Sequence, residues 1–178
     1  MQKMKKQTTT GKKTPIKAGR KMTQKTIDGR KLLLLRLPTS RFARENSGGL
    51  QAKLETGEEV EEIIRPAVAF HLQKPVEHQR AGARFDFKVG GVDSVDRAES
   101  KSTSSLRESM LINANKLKTK PLGRLWLVFS NRRGVWIMEY KHGDFERKFG
   151  PARPEAGWKS LVFEVPVKYM TPIALFEK

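Results

Sequence analysis

Four places in the chain set a carboxylate two residues ahead of a lysine: Asp86-Phe87-Lys88, Glu99-Ser100-Lys101, Glu139-Tyr140-Lys141 and Glu146-Arg147-Lys148. With 19 acids and abundant lysine such triplets arise by chance, so the triplet alone singles out none of them. Context favours Glu99-Ser100-Lys101. On a strand, residues two apart share a face, so Glu99 and Lys101 would address one site. Asp86 stands 13 residues upstream in Arg84-Phe85-Asp86-Phe87-Lys88-Val89, whose alternation suits a half-buried strand, and Gly90-Gly91 between them is a turn signal. A hairpin would bring the Asp86 carboxylate beside that of Glu99. Two like charges held together cost free energy unless something neutralises them, and a divalent cation does so. A lysine next to that cation could orient or help deprotonate a water, or offset charge on a phosphate.

Other chemistries find little support. There is no cysteine, which excludes disulfides, cysteine zinc sites and thiol catalysis. The three histidines, His71, His78 and His142, form a weak metal set. Neither a nucleophile elbow nor a phosphate-cradling glycine loop occurs. A helix-turn-helix and an RNA-recognition aromatic pattern are likewise missing. The charge is more telling: 36 Lys+Arg against 19 Asp+Glu give a formal net charge of +17, which predicts a polyanionic partner, DNA first and RNA not excluded.

That charge is concentrated at the start. Residues 1–31 hold 11 Lys/Arg and one acid, Asp28, with almost no apolar side chains, which predicts a disordered basic arm that contacts phosphates. Residues 32–178 read as a single domain. The longest strongly apolar run, Leu32 to Leu35, is too short for a membrane span, and the first residues lack a signal-like apolar segment. The expected setting is cytoplasmic, or nuclear if the chain is viral, with no membrane partner.

The elements that must position the triad are read as follows. Lys31 to Leu37 is a short strand or helix edge stopped by Pro38, and Ser47-Gly48-Gly49 marks a loop. A helix starts near Gly57 with Val60, Ile63, Ile64 and Ala67 on its apolar stripe; Pro66 must kink it or start a second one. Acids crowd its first turn. After the Arg84–Val89 strand and its turn, Val92 to Lys101 is the antiparallel partner. Ser105-Leu106-Arg107-Glu108 has the capping-box pattern, and Leu106, Met110, Ala114 and Leu117 make the stripe of a second helix. Lys116, Lys118 and Lys120 collect at its end. Leu125 to Phe129 is a strand buried on both faces, Asn131-Arg132-Arg133-Gly134 turns it into Val135 to Tyr140, and Leu161 to Val167 is a last strand before a short tail. The fold class is α/β or α+β.

The segments GARFDFKVGG, AESKST, SSLRESMLINANKL and GRLWLVFS, within residues 57–140, resemble the PD-(D/E)xK nuclease superfamily. The resemblance implies a restriction-endonuclease-like core, a central mixed sheet flanked by helices. It implies an Mg2+-dependent endodeoxyribonuclease, with Mn2+ as a substitute, and a Holliday junction resolvase or phage-type relative that acts on branched or structured DNA as a homodimer. Asp86 would match the first metal-binding acid, Glu99 the second and Lys101 the catalytic lysine. A helix glutamate would complete the metal site, Glu59 or its neighbour Glu61, with Glu58 and Glu62 facing away. Phe85 stands where many members have proline. The strand around Glu99 is less apolar than most, which leaves Asp93 and Asp96 as alternative ligands. Lys116, Lys118, Lys120, Arg132 and Arg133 would grip the flanking DNA backbone. The competing class is a non-enzymatic packaging protein of viral coat type, in which arm and charge would be explained without a triad; a ribosome-associated protein is a weaker third.

Overall fold

The computed structural model of the chain describes residues 23–36, 50–79, 82–103 and 105–177, and the side chains of its long helix from residue 57. Strand β7 (Leu125–Ser130) is buried at all six positions, as its continuous apolar run predicts. Its side chains alternate between two cores. Trp126 and Val128 face one, and Leu125, Leu127 and Phe129 face the other.

Around β7 an eight-stranded mixed sheet is built from β1 (Gln24–Ile27), β2 (Arg30–Arg36), β3 (Val76–His78), β4 (Phe87–Val89), β5 (Arg97–Ser102), β8 (Gly134–Tyr140) and β10 (Thr171–Glu177). Their order is β1-β2-β10-β8-β7-β5-β4-β3. The β5–β7 and β2–β10 pairs are parallel and the rest antiparallel. Helix α1 (Leu50–Leu72) packs Val60, Ile64, Ala67 and Val68 on one face of this sheet. Against the other face lie a two-stranded sheet of β6 (Ser109–Asn113) and β9 (Val162–Pro166), the single turn α2 (Ala114–Leu117) and α3 (Phe145–Phe149), which bring Met110, Ile112, Leu117, Phe145 and Val165 to the second core. The class is therefore mixed α+β, with one large mixed sheet and few helices. Among the described residues, no helix is long and apolar enough to cross a membrane.

Four sequence expectations are revised. First, the basic arm does not extend to residue 31. Asp28 (φ 50°) and Gly29 (φ 74°) form the positive-φ turn of a β1–β2 hairpin, a geometry that Asp-Gly favours; residues 1–22 lie outside the described residues. Second, α1 runs through Pro66 as one helix and begins before Gly57, so its acids lie in mid-helix and not in the first turn. Third, the helix expected after Ser105 is mostly strand. Met110 and Ile112 are buried with Leu111 only partly so, a period of two, and β6 pairs with β9; Leu106, placed on the helical stripe, is 51% exposed. Local capping chemistry lost to a pairing partner some fifty residues downstream. Fourth, the expected tail contains β10, which lies between β2 and β8. Gly134 makes room for it, since a Cβ there would stand 2.5 Å from the Ala174 carbonyl oxygen.

Candidate functional site

The expected hairpin forms. Antiparallel β4 and β5 pair Phe87 with Ala98 and Lys88 with Arg97. Pairing stops there, because β4 begins at Phe87, while β5 continues to Ser102 along β7. The result is a notch at the β4 edge of β5. One backbone donor that β4 does not reach is satisfied by a side chain: the Ser100 N–H donates to Asp86 Oδ2 at 2.7 Å. Asp86 is thereby fixed against the strand that carries Glu99 and Lys101.

Alternation along β5 sends Ala98 into the core beneath α1 and turns Glu99 and Lys101 to the opposite face, toward α2. Glu99 is completely buried. Its carboxylate is held by two ammonium groups. Lys101 Nζ lies 2.5 Å from Oε1, and Lys116 Nζ lies 2.6 Å from Oε1 and 2.7 Å from Oε2. Burial raises the Glu99 carboxyl above the ordinary range; Lys101 and Lys116 pull it back, and Asp86 pushes it further up. Burial alone would lower Lys101, but Glu99, Asp86 and Glu61 outweigh it and hold its ammonium more tightly protonated than a free lysine.

The fourth member comes from α1. Glu61 is pushed up to about 7, first by burial, then by the Asp86 charge against an opposing pull from Lys101, with Glu99 and Glu58 adding to the rise. Three carboxyl groups therefore share one electrostatic neighbourhood. His78 of β3 stands behind Glu61, with Nδ1 3.7 Å from Oε2, and packs edge-on against Phe87 at 4.9 Å between centroids.

Of the two helix glutamates, Glu61 and not Glu59 joins the cluster. Glu59 is partly buried and is not among the groups acting on Glu61, Glu99 or Lys101. Sequence could have separated them. Position 61 lies seven residues, two turns, before Val68, which is buried, whereas 59 lies the same distance before exposed Pro66. Asp96, the alternative ligand, is committed elsewhere: it accepts from Lys74 Nζ at 2.9 Å and the Arg124 N–H at 2.9 Å. Asp93 sits in the turn after β4 and has no part in the cluster's electrostatics.

The lysine cluster is divided. Lys118 and Lys120 are exposed. Lys116, expected beside them on the surface, has its ammonium on Glu99. Sequence carried no signal for this, because it depends on where β6 and β9 set α2. Arg133 is exposed and pairs with Glu108 at 2.7 Å, while Arg132 is partly buried. The histidines are dispersed: His71 lies in the last turn of α1, and His142 Nδ1 is 2.9 Å from the Tyr140 hydroxyl.

As they stand, no three His, Asp or Glu side chains among the described residues are gathered into a metal cage. The donor chemistry nonetheless fits a hard cation. Asp86, Glu99 and Glu61 offer carboxylate oxygens, the preferred ligands of Mg2+, and the Glu61 carboxyl is raised by burial first and by the Asp86 charge second. Compared with known proteins, the chain matches no family model, no curated protein and no solved structure.

Proposed function

We propose that the chain is a metal-dependent endonuclease with a restriction-endonuclease-like core, hydrolysing phosphodiester bonds of DNA. The observation that carries this reading is that Asp86 is hydrogen-bonded to the strand bearing the Glu99–Lys101 pair at one notch of the sheet, with Glu61 of α1 within electrostatic reach. Asp86, Glu99 and Glu61 would hold Mg2+. Such an ion would supply Lewis-acid polarisation of a phosphate and a water of lowered pKa. Lys101 is kept as an ammonium by the surrounding carboxylates, which suits it to offsetting negative charge as it builds on the phosphate oxygens and not to taking a proton. In this reading Lys118, Lys120, Arg132 and Arg133 would contact the flanking backbone, positioning a substrate without reading its sequence.

The test is cleavage of supercoiled plasmid, linear duplex and a four-way junction with Mg2+ or Mn2+, each with a chelator control. Cutting that requires the metal and disappears in Asp86→Asn is expected, and the relative rates identify the preferred DNA shape. Cutting by Asp86→Asn at the parental rate overturns the assignment. The packaging reading rests on the net charge of +17 and predicts retention of DNA without cutting in any metal.

A further inference from the structure

Lys116 does something the triad does not require. Lys101 pairs with Oε1 of Glu99, and Lys116 spans both oxygens, at 2.6 and 2.7 Å. A side chain that straddles both oxygens of a fully buried carboxylate takes the place a cation would need. The local charge agrees. Asp86 and Glu99 supply two negative charges, Lys101 and Lys116 two positive ones, so the inner cluster is balanced before any ion arrives.

The fold also lets this lysine leave without its backbone moving. Lys116 is carried on the single turn α2, opened by Asn113, whose side chain accepts the Asn115 N–H at 2.8 Å. The end of that turn is clamped by Arg84, which donates to the carbonyls of Lys116 at 2.6 Å and Thr119 at 2.8 Å. The side chain itself is 31% exposed, against none for Glu99, so its ammonium has a solvent route out. Arg84 lies two residues before Asp86, which ties the turn to the segment just ahead of β4 that carries the first acid.

Building on the proposed metal site, we propose that Lys116 is a displaceable cation: its ammonium holds Glu99 until a divalent ion takes the carboxylate, and is then free to grip a phosphate oxygen of the substrate. Metal entry and backbone capture become one exchange on a single carboxylate. Lys116 is in this sense a positioning residue, acting through Glu99.

The test uses Mn2+ alone, measured by titration calorimetry on the full chain, and Ca2+-supported binding of a DNA duplex at constant ionic strength. Removing one positive charge a few ångströms from the ion should matter strongly where water is scarce, so Lys116→Met should bind Mn2+ about tenfold more tightly than the parent. The same variant should bind DNA about tenfold more weakly in Ca2+, because its phosphate contact is gone. Lys116→Arg, which keeps the charge, should stay near the parent in Mn2+ affinity. A lysine that only supports the fold would give the opposite sign, with looser Mn2+ binding as the site loses order. Should Lys116→Met fold poorly in a thermal melt, Lys116→Gln replaces it with the same expectations. Equal or weaker Mn2+ binding by the neutral variant overturns the exchange while leaving the metal site intact. Failure of parent and variant alike to bind Mn2+ overturns the metal reading and this one with it.

Discussion

Two clusters of acids and bases in this molecule are built from nearly the same parts and behave in opposite ways. On the small sheet, Glu164 accepts from the Ser109 hydroxyl at 2.6 Å, pairs with Arg153, and lies 3.5 Å from Arg107, with Glu155 close to both arginines. The four charged side chains are 20–49% exposed, and Glu164 is held below the ordinary carboxylate range, first by the Ser109 hydroxyl and then by Arg153. At the β4–β5 notch, Glu99 has two ammonium partners and no exposure, and its carboxyl is raised. Partners outnumber acids in neither place by much. Water decides the sign. Where solvent still reaches the group, hydrogen bonds and counter-charges lower the carboxyl; where it does not, loss of hydration outweighs both. The first cluster keeps its carboxylate ionised at little cost, whereas the second holds a carboxylate that burial makes costly to ionise in spite of two counter-charges.

The contrast can be broken most forcefully through activity. Asp86→Asn and Lys101→Met should each reduce plasmid cleavage in Mg2+ by on the order of 10²–10³-fold or more, while Glu164→Gln leaves the rate within about twofold, since it touches nothing that meets the scissile bond. Comparable losses in all three variants would mean that the two clusters do not differ in role.

The next effect is in pH. Glu61 has a folded-state pKa of about 7 against an ordinary 4.5, so the folded chain holds that proton more tightly than the unfolded chain. Its contribution to stability is full below about 4.5 and is lost as pH rises through about 7. At 1.36 kcal/mol per unit, the metal-free protein should lose up to about 3 kcal/mol from this group across that window. Urea titrations at pH 5 and pH 8 measure it, and adding Mg2+ at pH 8 should restore stability. A Glu61→Gln variant that keeps the same pH slope would show that the slope arises elsewhere.

A pair of identical substitutions sharpens the comparison further. Glu61→Gln should stabilise the metal-free protein at pH 8 by about 1–2 kcal/mol, because it removes a charge that burial opposes first and Asp86 and Glu99 oppose further. Glu164→Gln should destabilise it by less than about 1 kcal/mol, a small value because the pair is screened by solvent. Shifts of the same sign would refute the distinction drawn here.

How much of this was legible in the sequence follows the range of the interactions. The β4–β5 hairpin could be read because Gly90-Gly91 and the alternation around Phe85 and Phe87 are local, and β7 because five successive apolar residues leave little choice. From those two elements the placement of Asp86 beside Glu99 and Lys101 follows. Strand β6 was read as helix because Met110 serves either period, and the deciding partner, Val165, sits in the register only after the chain has returned from far away. Lys116 was hidden for the same reason. Glu61 could have been chosen over Glu59 by counting two turns to Val68. What escaped was set by non-local packing.

Strand β10 has a consequence for how the molecule comes into being. It sits between β2 and β8, so the β1–β2 hairpin joins the rest of the sheet through residues 171–177, far along the chain from the hairpin itself. Until those residues have been made, β1 and β2 have their ladder on that side unfilled. Such long-range closure makes for slow maturation and an interval in which nascent edges invite association with other chains.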